Sequence, residues 1–276
     1  MAPDPGAGQA AGQAPQLGLC LSGGGFRAAF YVFGVLRYLA EKGSLPDVGV
    51  VSAVSGGSIG AAMLADRWEA FERAGGDLNA FLAEVDGPFR EVVTKKNLRN
   101  DWLLHFLLHP TAGGRGKTLG QTLSKHLYEH DRVDQLPDRP QVIFTSTDLG
   151  VGRAFRAARH FAGSFDHGYV EPAPATLGLG TAVAASAAFP PSLSVVSLST
   201  RALGLPKGDR TLSLVDGGVY DNMGLEWFQG WDSGRPDGAI RPGYVIVANA
   251  SGQLGTPDRK YGALRSIFRD QSVFSR

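Results

Sequence analysis

The sequence has a single cysteine, Cys20, in 276 residues. That excludes an internal disulfide framework and fits a reducing compartment. Neither sign of charge predominates, with Lys+Arg 27 against Asp+Glu 26. No global field therefore draws the chain to nucleic acid. No apolar run approaches the ~18 residues that a membrane-spanning helix needs. The opening residues lack the basic start and apolar centre of a signal peptide. The expected setting is cytoplasmic.

Glycine is abundant instead: 38 residues in 276, against a usual share of ~7%. Without a collagen period, that density means tight turns and close backbone approaches. The length suits one large domain or two small ones. Residues 1–16 (MAPDPGAGQAAGQAPQ) have no apolar periodicity and read as a flexible tail. Residues 17–276 show no repeat or linker and read as one domain, which leaves open whether residues beyond Arg276 are missing.

Two strand–turn–helix units open that domain. The run Leu17 to Ser22 leads into Gly23-Gly24-Gly25, then a helical stretch with Tyr31, Val35, Leu36 and Leu39 in phase and Gly43 as its C-terminal cap. The run Val48 to Val54 leads into Ser55-Gly56-Gly57-Ser58 and a second helical stretch. This pattern predicts an α/β fold with a largely parallel sheet. Residues 76–140 read as mostly helical. Further strands are expected in QVIFTSTDL, TLSLVD and YVIVANA, and a small-residue helix over 176–189.

Three glycine-flanked polar sites end apolar strands, where ligands bind in open α/β sheets. Ser55, between strand and helix with Ala53, Gly56 and Gly57 around it, has the setting of a nucleophile elbow. Gly56-Gly57-Ser58-Ile59-Gly60 also fits G-x-S-x-G, but Ser58 would already lie inside the helix. The plainer alternative for the stretch is a helix cap. Gly23, Gly24 and Gly25 present backbone N–H groups at a helix start, a nest for an anion or oxyanion, with Arg27 adding a fixed charge. The same glycines also make an ordinary tight turn. Asp216 is delivered to a strand end beside Gly217-Gly218 and suits a general base, if it reaches the serine. On its own it is equally an Asx-type turn.

All six histidines precede Asp216. An α/β-hydrolase triad runs serine, acid, histidine along the chain, so with Asp216 as the acid no histidine remains. Asp148 followed by His160 or His167 keeps the order, but a Ser–Asp dyad is more economical.

The string SGGGFRAAF resembles the GGG-x-R/K oxyanion motif of patatin-like phospholipases. AVSGGS is similar to that family's elbow, and VDGGVYDN to its DGG/DGA aspartate motif. TSTDLGVGR and AASAAFPP resemble its secondary blocks, in the right order over about 17–250. The chain departs from the pattern at Ala53, at Phe26 and at Ala28. The resemblance implies a three-layer α/β/α sandwich with a mainly parallel central sheet, Ser55 as nucleophile and Asp216 as base. It also implies an oxyanion hole of Gly23, Gly24 and Gly25 supported by Arg27, and a lipid or phospholipid ester substrate met at a membrane surface by transient peripheral contact. No metal or organic cofactor is implied, and a protein activator or oligomer is left open. The alternative is a non-catalytic lipid- or partner-binding module on the same fold.

Four further segments compete for attention. Thr111 to Thr118 nearly matches a P-loop but reads better as a flexible loop, since WLLHFLLHP before it makes a poor parallel strand. His126 to His130 (HLYEH) matches a zinc-binding string without a matching third ligand, so surface histidines are expected. The segment 97–110, with Trp102, Leu103, Leu104, Phe106, Leu107 and Leu108, reads as core, or else as an apolar lid near the active site. Leu264, Ile267 and Phe268 beside Arg265 and Arg269 are a weaker candidate for that lid.

Overall fold

A computed structural model describes residues 16–95, 112–190, 193, 195–206, 209–229 and 234–251. Residues 1–15, the apolar segment 97–110 and the closing stretch with Leu264 to Arg269 lie outside the described residues. The apolar run Val48 to Val54 is buried along its whole length, as a strand covered on both faces must be, and forms β2 (Val48–Val54). Beside it lie β1 (Leu17–Leu21), β3 (Gln141–Asp148) and β9 (Tyr244–Ala248). These four run parallel in the order β9-β1-β2-β3.

Beyond β3 the sheet turns antiparallel through β4 (Arg153–Ala158), β5 (Phe161–Ser164) and β6 (Gly168–Val170). This extension was not legible in the sequence. Arg156 breaks the apolar alternation of β4, yet it is buried, paired with Glu226 and 5.3 Å from the centre of the Trp227 ring. The hairpin of β7 (Val196–Ser199) and β8 (Thr211–Asp216) also joins the sheet through β3.

Helices flank the sheet. On one face pack α1 (Gly25–Glu41), α2 (Gly56–Asp66) and α7 (Leu179–Ala187), over a core that includes Leu21, Val51, Ala53, Phe144 and Leu214. The short α3 (Trp68–Arg73), α4 (Leu78–Phe81) and α5 (Gly87–Lys95), and then α6 (Ala112–His126), extend that layer. Within the stretch 76–140 that the sequence reads as mostly helical, the described residues are helical over 78–95 and 112–126, while 127–140 is mostly irregular. On the other face Val50, Ile143 and Phe161 meet Trp227, with α8 (Gly218–Asp221) nearby in the chain.

Two local expectations are corrected. The buried stripe of α1 is Val32, Phe33, Leu36 and Leu39, whereas Tyr31 is exposed. The P-loop-like glycines lie inside α6 and not in a flexible loop. A P-loop is a non-helical turn between a buried strand and a helix, and glycines already wound into a helix do not form that cradle.

Candidate active site

The carboxyl end of β2 delivers Ser55 to a sharp turn before α2. Its backbone angles are φ 53° and ψ −123°, and it is the one non-glycine residue with positive φ among those described. Such a conformation stores roughly 1–3 kcal/mol and persists only when its surroundings enforce it. They do. A Cβ at Gly56 would strike the Gly25 carbonyl, and one at Gly57 the Leu21 carbonyl, so only glycines let α2 start this close.

Asp216 arrives from the opposite direction. On the same side of β3, β2 pairs up to Val54 with Thr145, and antiparallel β8 takes over with Asp216 opposite Ser146. The two strands therefore meet end to end. Gly217 at the junction lies against the Thr145 carbonyl and Val54, with no room for a side chain. The Ser55 hydroxyl donates to Asp216 Oδ2 at 2.6 Å. The Gly218 N–H donates to Asp216 Oδ1 at 2.7 Å, and Thr147 Oγ1 donates to the Asp216 carbonyl at 2.9 Å. Burial raises the Asp216 carboxyl from 3.8 to about 6, against the hydrogen bonds from Ser55 and Gly218, which favour its charged form.

Sequence reasoning missed Ser186. The Ser55 N–H donates to its Oγ at 3.0 Å, and that hydroxyl donates to the Thr145 carbonyl at 2.7 Å. A hydroxyl has one proton. Ser58 Oγ, 2.7 Å from Ser186 Oγ, must therefore be the donor of that pair. Ser58 is buried within α2 and committed to this network, while Ser55 stands at the turn. The one signal for Ser186 was its place in AASAAF, a polar residue amid a run that otherwise reads as packing.

The glycine loop lies directly beside Ser55. A Cβ on Gly23 would come within 3.2 Å of the Ser55 Cβ. The Gly23 N–H donates to the Asn222 carbonyl at 3.0 Å, and Asn222 in turn donates to Ser251 Oγ at 2.6 Å. Gly24 and Gly25 have φ 152° and 64°, and their N–H groups meet no acceptor among the described residues. Arg27 is exposed in the first turn of α1 and makes no ion pair among the described residues. The structure thus brings Ser55, Asp216 and the glycine loop together, although Gly23 spends its own N–H internally.

The other candidates are engaged elsewhere. His167 pairs with Asp148 at 2.9 Å, but that carboxylate also accepts N–H groups from Gly150 and Ser213, and the pair does not reach Ser55. His160 meets Asp138. In HLYEH, His130 Nδ1 and the N–H groups of Glu129 and His130 all bind the buried Asp66, tying the end of α6 to α2. Among the described residues no group of His, Cys, Asp and Glu is placed to hold a metal. The Cys20 thiol is buried and pushed up to about 12 by burial and Asp221, which makes it a poor nucleophile.

A family model described as "Patatin-like phospholipase" matches residues 19–227, well over half of the chain. No curated protein matches the sequence. Among solved structures, human GIVD cytosolic phospholipase A2 shares 15% identity at a TM-score of 0.39, over 63% of this chain and 28% of that one. VipD from Legionella pneumophila shares 14% identity at a TM-score of 0.36, over 76% of this chain and 47% of that one. The chain therefore spans less than half of either protein. The family match, and not these distant likenesses, places the chain.

Proposed function

Because the chain belongs to the patatin-like phospholipase family, we propose that it is a serine hydrolase of fatty-acyl esters in phospholipids, working through a Ser55–Asp216 dyad. The observation that carries this reading is the 2.6 Å bond from Ser55 Oγ to Asp216 Oδ2 at a strained elbow. A lone serine hydroxyl is a weak nucleophile and needs an adjacent base. Asp216 fills that place, with its second oxygen held by Gly218.

Ser55 Oγ attacks the ester carbonyl while its proton passes to Asp216 Oδ2. The tetrahedral oxyanion is met by the Gly24 and Gly25 N–H groups, and Arg27 adds positive potential from the first turn of α1. Preorganised donors of this kind lower the barrier by roughly 3–4 kcal/mol each. Collapse expels the lysolipid alkoxide, which takes the proton back from Asp216. Water, giving its proton to the same carboxylate, then attacks the acyl carbon, and Ser55 Oγ leaves with that proton as the fatty acid is released. The steps use no metal or organic cofactor.

No helix among the described residues is long and apolar enough to cross a membrane. The proposed contact with lipid is peripheral and transient. Fatty-acid release from mixed phospholipid vesicles tests the function. Wild type should release fatty acid, while Ser55→Ala and Asp216→Ala should each fall by ~10³-fold or more. Silence from all three folded proteins would favour a non-catalytic lipid-binding module. Activity that survived Ser55→Ala would refute the dyad.

A further inference from the structure

A surface helix of 17 residues such as α1 is expected to bury one stripe and show a polar face to water. The buried stripe is in order, but the opposite face carries large aromatic rings among its charged residues. Phe26 is 52% exposed, Phe30 51%, Tyr31 45% and Tyr38 58%. At ~100° per residue these four rings share one arc of about 140° with Arg27 between them. Contiguous exposed rings of this kind mark an interaction surface, not ordinary solvent-facing helix.

The charge on this face is positive. From Gly25 to Lys42 the helix and its cap carry Arg27, Arg37 and Lys42 against Glu41 alone. Arg37 is spent on Glu41 at 3.1 Å, and Lys42 lies 5.5 Å from the centre of the Tyr38 ring. Arg27 makes no ion pair among the described residues. Phe30 is braced by the ring of Phe89 on α5, 5.5 Å away and edge-on, so its exposed side is held ready. Aromatic rings with interleaved cations suit the headgroup layer of an anionic bilayer, where rings sit at the acyl boundary and arginine reaches phosphate.

The face is also continuous with the catalytic loop. α1 begins at Gly25, whose carbonyl packs against Gly56 beside the nucleophile. Ser55 itself is only 6% exposed, so a lipid ester has to be lifted from its bilayer to reach it. We propose that the Phe30–Tyr31–Tyr38 face of α1 is the surface on which this protein docks to an anionic lipid bilayer. The assignment rests on the lipid-ester activity proposed above.

The test is co-sedimentation of the full chain with phosphatidylcholine vesicles, with and without phosphatidylglycerol, run on the Ser55→Ala protein so that hydrolysis does not intrude. Phe30→Gln/Tyr31→Gln should bind the phosphatidylglycerol vesicles about ten-fold more weakly. In the Ser55 background the same pair should cleave a soluble short-chain ester within about two-fold of wild type. Tyr31→Gln/Tyr38→Gln, which leaves the Phe89 contact alone, serves if the first pair does not fold. Unchanged vesicle binding in a folded variant overturns the proposal, as does absence of binding by the parent. So does a dimer in gel filtration that the substitutions dissolve while vesicle binding persists, since the face would then belong to a second copy. Face-dependent vesicle binding by a protein that cleaves no ester would keep the docking surface and sink the hydrolase.

Discussion

Ser55 and Asp216 lie 161 residues apart in sequence and 2.6 Å apart in space, because the strands that carry them abut end to end along one side of β3. Neither strand alone sets the distance. It is fixed by the adjacent register positions Thr145 and Ser146, which pair with Val54 and Asp216 respectively. A shift of two residues in either strand would part nucleophile and base by about 7 Å.

The pH dependence of activity follows from that burial. Asp216 accepts a proton only when ionised, and burial raises its carboxyl to about 6. The plot of kcat/KM for a soluble ester should rise with pH and level off above an inflection near 6. An inflection near an ordinary carboxylate value would mean that another group limits the reaction.

Stability should move the other way. The folded carboxyl holds its proton up to about 6, while the unfolded one releases it near 3.8. Between those values the folded state binds more protons, so stability falls as pH rises through the window, by about 3 kcal/mol in all. Asp216→Asn is neutral throughout and can still accept from Gly218. Its Tm should exceed that of wild type at pH 8, with the gap closing toward pH 4. Melting curves at the two pH values check this, and a constant gap would refute the cause.

Ser186→Ala removes the acceptor of the Ser55 N–H, the partner of Ser58 and the donor to Thr145. Leaving buried groups unpaired costs about 1–3 kcal/mol. A positioning role predicts more than a lower Tm. Labelling of Ser55 by a fluorophosphonate should slow about ten-fold in the folded variant, with kcat falling and KM nearly unchanged. Normal labelling with a reduced Tm would make Ser186 a packing residue only.

Gly217→Ala tests the junction itself. Its new methyl would meet the Thr145 carbonyl, which is backbone and cannot swing away, and Val54 Cγ1 at 3.2 Å. The strands would have to part, at a cost of about 3 kcal/mol in urea unfolding and with loss of ester hydrolysis. Wild-type stability would show that the junction is looser than its geometry.

The local devices were legible in the sequence. Glycine turns between apolar runs and helical stretches announced β1–α1 and β2–α2, and they singled out Ser55, the glycine loop and Asp216. Each is a property of a few adjacent residues, set by steric freedom and hydrophobic period. The P-loop-like and zinc-like strings show the limit of that reading, because the glycines of the first are wound into α6 and His130 of the second is bound to Asp66.

What the sequence by itself determined was therefore which residue types stand at strand ends and which turns bend sharply enough to expose them. Tertiary structure alone decided that β8 runs against β2 and meets it head-on, that Ser186 reaches back to the Ser55 N–H, and that Arg156 is buried against Trp227 and Glu226. The physical reason is range. Periodicity and turn chemistry act over a few residues, whereas register, burial and the shift of Asp216 arise from contacts between segments far apart in the chain.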